Sequence, residues 1–261
     1  MALYRILEIY FHLRTKKRVE YKLHYLPGKK KIKNCCLTVL VVHDSDTEIP
    51  FLQDIWQHRT EEFRKVNILM KVPALKDGSF TLAESIAILL YLARKFKTPD
   101  HWYPSDLQKR ARVDEYLSWQ HVNIRGKGIW ALCSGRVLLP LLTGQPLPPE
   151  KLESVTEELN IVLNQFEEKF LQDKPFIAGS EVSLADLVAL VELMQPVGAG
   201  YDLFEERPKL AEWRRQVEEA VGKQLFQEAH EGILNAKSLT ADKIAPELLE
   251  HFKHQLLKQA S

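Results

Sequence analysis

Cysteine is scarce, with three in 261 residues (Cys35, Cys36 and Cys133), no CxxC pair and no metal-ligand spacing. An adjacent pair plus one distant thiol excludes a disulfide framework and fits a reducing compartment, so a cytoplasmic protein is expected. Long apolar runs are missing too. The stretch from Cys36 to Val42 is far shorter than the roughly 20 residues a membrane-spanning helix needs. The first residues show no apolar core followed by small residues, so no secretory leader is expected. Nor does one charge dominate: 36 Lys plus Arg stand against 35 Asp plus Glu, a net charge of +1, which excludes nucleic-acid binding through bulk positive charge. What the chain does have is ordinary globular material, 45% hydrophobic and 27% charged. That supplies a real core for two domains or one large one.

Three zones follow along the chain. Residues 1–56 are irregular. Within them "VEYKLHYL" (19–26) alternates apolar and polar residues before Pro27-Gly28, as a strand ending in a turn does. "LTVLVV" (37–42) is rich in β-branched residues and reads as a buried strand. The basic run "KKKIKN" (29–34), with Arg14, Lys16, Lys17 and Arg18 before it, reads as a solvated face, the alternative being contact with an anionic partner.

The second zone, 57–98, is orderly. "KVPAL" and "SFTL" flank Lys76-Asp77-Gly78, which predicts a hairpin. "ESIAILLYLARKF" (84–96) predicts an apolar helix, broken by Lys97-Thr98-Pro99-Asp100 and followed by a linker, "HWYPSD" (101–106). The third zone, 105–238, reads as consecutive helices. Leu152, Val155, Leu159, Val162, Phe166 and Phe170 form one stripe, and Leu210, Trp213, Val217 and Val221 another, ended by Gly222. Tyr116 and Trp119 stand at core spacing. Ser183 reads as an N-cap with Asp186 in the capping-box position, and Val182 and Leu187 are placed to staple the turn. Residues 239–261 resume a helical pattern as a C-terminal extension.

Two points in the second zone invite a chemical reading. Pro73 cannot donate to a strand ladder, so Val72-Pro73 marks an edge or a strand entry. A cis bond there would turn Val72's N–H and C=O outward to pair with an extended peptide, whereas a trans bond would be an ordinary strand start. At Glu84-Ser85 a helix begins, offering free N–H groups and a positive dipole end to a carboxylate, with Ser85 as a further donor and Glu84 as acceptor for an ammonium. The alternative is that Glu84 or Ser85 merely caps the helix.

"KVPALKDGSFTLAESIAILLYLARKFKTPDHWYPSD" resembles cytosolic glutathione transferases of the theta class. So do "ARVDEYLSWQHVNIR" (111–125), "FLQDKPFIAGSEVSLADLVALVELMQPVGAG" (170–200) and "RPKLAEWRRQVEEAVG" (207–222), a match running from about Gln57 to about Asn235. The resemblance implies an α/β thioredoxin-like N-terminal domain followed by an all-α helical-bundle C-terminal domain, assembled as a homodimer. Glutathione would be a co-substrate, with no cofactor and no metal, and small electrophiles such as halides, epoxides or peroxides would be its reaction partners in detoxification. By position, Val72 pairs with the cysteinyl backbone beside a cis Pro73, and Glu84 and Ser85 hold the γ-glutamyl end. His58 and Lys71 lie near the glycyl carboxylate. Val122, Asn123, Ile124 and Arg125 face the cleft from the helical domain, while Ser183 and Asp186 are structural. Without the family, His58 would read as a surface or core residue and Arg125 as part of a solvated or ion-paired helix face.

The chain departs from the family over residues 1–56, where no strand–loop–helix carries the family's catalytic serine. Ser45 is the serine of that segment, and its flanking aspartates would oppose a neighbouring thiolate. Tyr4, Tyr10, Cys35 and Cys36 are chemically capable thiol partners in unmatched surroundings, so the catalytic residue stays unassigned. Two functions stand: a transferase conjugating the glutathione thiolate to small electrophiles, or a catalytically impaired relative that binds ligands or serves as an interaction domain. Without the family's first strands the 71–82 hairpin is expected to keep an exposed edge, the alternative being that "VEYKLHYL" and "LTVLVV" substitute as strands.

Overall fold

The computed structural model describes residues 61–71, 73–77 and 79–234, together with the strand backbone of residues 37–40. His58, Val72, the Val72-Pro73 bond, Ser45, Tyr4, Tyr10, Cys35, Cys36, the strand reading of 19–26 and the helical reading of 239–261 lie outside the described residues.

The hairpin forms from β2 (Ala74–Asp77) and β3 (Phe80–Ala83), with Ala74 opposite Ala83 and Asp77 opposite Phe80. Lys76 and Asp77 belong to the strand, so the reversal is tighter than a Lys76-Asp77-Gly78 connection. β1 (Leu37–Leu40) lies antiparallel on the far side of β2, with Val39 opposite Leu75. The edge of β2 is therefore paired rather than exposed, and part of "LTVLVV" is the substitute strand that pairs it. A strand edge is a row of unsatisfied backbone groups, and pairing it removes that liability.

After a short α1 (Glu61–Arg64), the helix α2 (Ser85–Lys95) covers the hairpin, burying Ile88, Leu89, Leu92 and Ala93 against the wholly buried Leu75. Asp77 at the end of β2 accepts hydrogen bonds from Tyr91 Oη and Lys95 Nζ, which pins the helix to the strand. The linker is docked rather than loose. Trp102 is buried, and His101 Nδ1 lies 2.7 Å from the carbonyl oxygen of Val182. The Tyr103 hydroxyl donates to Asp114 (3.0 Å) and accepts from Arg94 (3.3 Å), joining α2 to the helices beyond.

α3 (Leu107–Gln120) opens on Asp106, whose carboxylate accepts from the backbone N–H of Lys109 at 2.9 Å. The chain then stays helical through a widened, π-type stretch (His121–Ile129), α4 (Trp130–Cys133), a second wide stretch (Ser134–Leu138) and α5 (Leu139–Thr143), ending at Gly144. Gly128 lets the first wide stretch lie against α6 (Pro149–Gln165), since a Cβ there would meet Leu159 Cδ1 at 2.7 Å. A further wide turn (Phe166–Leu171), α7 (Leu184–Gly198), α8 (Pro208–Val221) and α9 (Lys223–Leu234) complete the described bundle. Among the described residues no helix is long and apolar enough to cross a membrane.

α7 is buried almost all round, as its near-continuous apolar sequence requires. It starts on a closed polar network. The fully buried carboxylate of Asp186 accepts from Ser183 N, Ser183 Oγ, Ile177 N and Trp213 Nε1, each at 2.9 Å. Burial nevertheless pushes its carboxyl above the usual carboxylate range, against the pull of those four donors.

Candidate functional site

The register of the hairpin decides which backbone a peptide could reach. Because Ala74 faces Ala83, the chain entering at Pro73 and the chain leaving through Glu84 and Ser85 lie side by side at the open end of the hairpin. Both approaches to that end hold backbone that L-residues rarely adopt. Glu84 has φ 67° and Met70 φ 55°, and such strain gathers at functional sites because the surrounding structure must enforce it. The loop before Pro73 is organised by Asn67, which is buried. Its amide donates to the carbonyl of Lys71 at 2.7 Å and its side-chain oxygen accepts from Leu69 N at 3.0 Å. Lys71 is exposed beside it.

Glu84 precedes α2 yet makes no side-chain cap, and its carbonyl takes the first helical hydrogen bond from Ile88 N at 2.9 Å. The first turn of α2 thus keeps backbone donors and the positive end of its dipole at the open end of the hairpin, with the Ser85 side chain on the helix start and Glu84 exposed. An uncapped helix start next to a carboxylate can hold both ends of one zwitterionic amino-acid group.

From the bundle, Val122, Asn123, Ile124 and Arg125 fall inside the widened stretch His121–Ile129. Stretches of this kind recur at functional sites. The four side chains do not act together. Val122 is exposed, Asn123 ties its amide back to the Trp119 carbonyl at 2.9 Å, and Ile124 is wholly buried in the core. Arg125 is 52% exposed, with Nη1 4.0 Å from Glu192 Oε1, whose own side chain is only 3% exposed. Gln195 Nε2 donates to the second Glu192 oxygen at 2.9 Å. Burial raises the Glu192 carboxyl, and Arg125 and Gln195 pull it back. The sequence reading missed Asn67 and Glu192. The available signals were an Asn ahead of a turn and a lone carboxylate inside the apolar run "LVALVELM".

Comparison with known proteins sets this geometry in a family. A family model for the glutathione S-transferase N-terminal domain matches residues 21–94, and one for the C-terminal domain matches residues 130–220. Glutathione S-transferase theta-1 of Gallus gallus is 64% identical over 197 residues, covering 74% of this chain and 74% of that protein. The Homo sapiens theta-1 enzyme is 59% identical over 181 residues, 69% of this chain and 75% of that one. This chain belongs to the glutathione S-transferase family, theta class. The structure of human glutathione-S-transferase T1-1 in its apo form aligns with a TM-score of 0.71 at 54% identity, covering 77% of this chain and 83% of that chain. Human glutathione transferase theta-2, solved in complex with glutathione and an unknown ligand, aligns at 0.69 with 50% identity, covering 78% and 84%. The fold is accordingly that of a glutathione S-transferase: a thioredoxin-like N-terminal domain with a small antiparallel sheet, then a helical C-terminal domain. The N-terminal family match reaches back to residue 21, well before Gln57 where the resemblance was first legible, and so takes in β1 and the stretch before it.

Proposed function

We propose that this chain is a glutathione transferase that binds glutathione at the open end of the β2–β3 hairpin and conjugates its thiolate to small electrophiles. The uncapped start of α2 beside the strained Glu84 carries the reading. The α2 N–H groups and Ser85 take the γ-glutamyl carboxylate, Glu84 takes the ammonium, and the backbone at Val72-Pro73 pairs with the cysteinyl unit. Lys71 and His58 attend the glycyl carboxylate, and Arg125 faces the bound peptide from the helical side. Two solved relatives support the transfer: human theta-2 was crystallised with glutathione, and a human theta-class glutathione transferase with the glutathione conjugate of 1-menaphthyl sulfate.

In the reaction the thiolate sulfur forms a bond to the electrophilic carbon. A halide leaves with its electron pair, or an epoxide opens and its oxygen takes a proton from solvent. The protein contributes orientation and a thiol kept as thiolate. We place the protein in the cytosol as a homodimer, in keeping with its family and its cysteine pattern.

The test is turnover of the purified chain with glutathione and a small alkyl halide or epoxide, beside Ser85→Ala and beside a chimera carrying a family-type N-terminus. Measurable conjugation, with Ser85→Ala weakening glutathione binding by about tenfold or more, supports the reading. Glutathione binding with no turnover, restored in the chimera, would assign this chain to ligand binding alone. Equal binding by Ser85→Ala and the parent would remove the site.

A further inference from the structure

Glu192 is a charge in an expensive place. Its carboxylate sits in the largely apolar middle of α7 at 3% side-chain exposure, and an isolated buried carboxylate is tolerated only with partners that repay its lost hydration. Two partners are in place: the Gln195 amide at 2.9 Å on one oxygen and Arg125 Nη1 at 4.0 Å on the other. Arg125 faces two ways. One edge of its fork lies toward the bundle interior, while half of the side chain stays in solvent. It projects from a wide helical turn, where its carbonyl accepts from the N–H of Trp130, five residues on. A flexible cation in such a turn has many rotamers, and fixing it costs side-chain entropy. A buried carboxylate under one edge meets that cost before any ligand arrives.

We propose that Glu192 is a positioning residue for the transferase reaction, holding one edge of the Arg125 guanidinium from inside the bundle so that the other edge meets the glutathione cleft in one orientation. The proposal rests on the reading of Arg125 as a cleft residue. It predicts an asymmetry between the two partners. Removing Arg125 strands a buried charge, whereas removing the Glu192 charge leaves Arg125 solvated at little cost to folding.

The experiment is a double-mutant cycle with Arg125→Ala, Glu192→Gln and both together, reading glutathione KM, kcat and the urea midpoint. Glu192→Gln should raise glutathione KM about five- to tenfold without lowering the urea midpoint, and the double variant should be no worse than Arg125→Ala alone. Arg125→Ala should lower the midpoint, and adding Glu192→Gln should restore it. Additive losses in KM, or an unchanged KM in Glu192→Gln when Arg125→Ala raises it, would overturn the positioning role and leave the site intact. No change of KM in Arg125→Ala would instead overturn the cleft reading of Arg125. Gln195→Leu keeps the charge and removes its hydrogen bond, so it serves if Glu192→Gln fails to fold. It should raise KM about two- to threefold, and an unchanged KM counts against the proposal.

Discussion

At the scale of single residues, environment decides what identity alone leaves open. Cys133 is an example: a free thiol in the sequence and an inert one in the fold. Burial first, and the field of Glu192 second, push it up to about 12, with Arg136 opposing. At pH 8 its thiolate fraction is then roughly one in ten thousand, and the thiolate is the reactive form. Iodoacetamide followed by peptide mass mapping should leave Cys133 unlabelled in the native protein and label it in urea. Labelling at native rates typical of an exposed thiol would contradict this. Glu84 is the opposite case, where function and stability pull apart. At φ 67° a side chain is strained by about 1–3 kcal/mol and glycine is not. Glu84→Gly should therefore unfold at higher urea than Glu84→Ala, by about 1 kcal/mol, reversing the usual order in which glycine is the weaker residue. Both variants should lose glutathione affinity in calorimetry. None of this strain is legible in "LAESIAI", because φ at a helix entry is set by how the hairpin delivers the chain.

Elements were legible where one periodicity ruled. The stripe through Leu159, Val162, Phe166 and Phe170 is buried as spaced, and α8 turns Leu210, Trp213, Val217 and Val221 inward. Two features escaped that logic. β1 was legible as a strand from its β-branched run, but its partner was not, because strand pairing joins residues far apart in sequence and is set by which edge lies open. The wide helical stretches were invisible too, since a single inserted residue per turn leaves composition unchanged and shifts which side chains face inward. Ile124 shows the effect: expected at the cleft with its neighbours, it lies wholly in the core. Helix pairs carry their own prediction. α9 approaches α7 so closely that a Cβ on Gly198 would stand 2.1 Å from the carbonyl oxygen of Ile233. Backbone cannot swing aside as a side-chain tip can, so Gly198→Ala must push the two helices apart. A loss of about 1–3 kcal/mol is expected from the urea midpoint, and a neutral result would mean that α9 moves freely on α7.

For the whole molecule, the question is whether glutathione at the proposed hairpin site would be felt by the helical bundle. The contacts provide a route for it. Leu75, Ile88 and Leu92 belong to the same buried cluster as Tyr116, Phe166 and Leu187, and the linker is fastened at His101 to Val182 and at Tyr103 to Arg94 and Asp114. Two halves sharing one core unfold together, so a ligand on either stabilises both. With free glutathione at a hundred times its Kd, linkage gives about 2.7 kcal/mol. Far-UV circular dichroism reports mainly the helices, and its urea transition should shift by that amount although none of the proposed γ-glutamyl contacts is in the bundle. Tyr103→Ala removes the hydroxyl between Asp114 and Arg94 and the ring that lies under the guanidinium groups of Arg94 and Arg110 at 5.0 and 5.1 Å. In that variant the glutathione-dependent shift of the helical signal should shrink while calorimetry still finds glutathione bound. A full shift in Tyr103→Ala would show that the shared apolar core alone couples the halves. No shift in the parent at saturating glutathione would show that the halves unfold independently despite it.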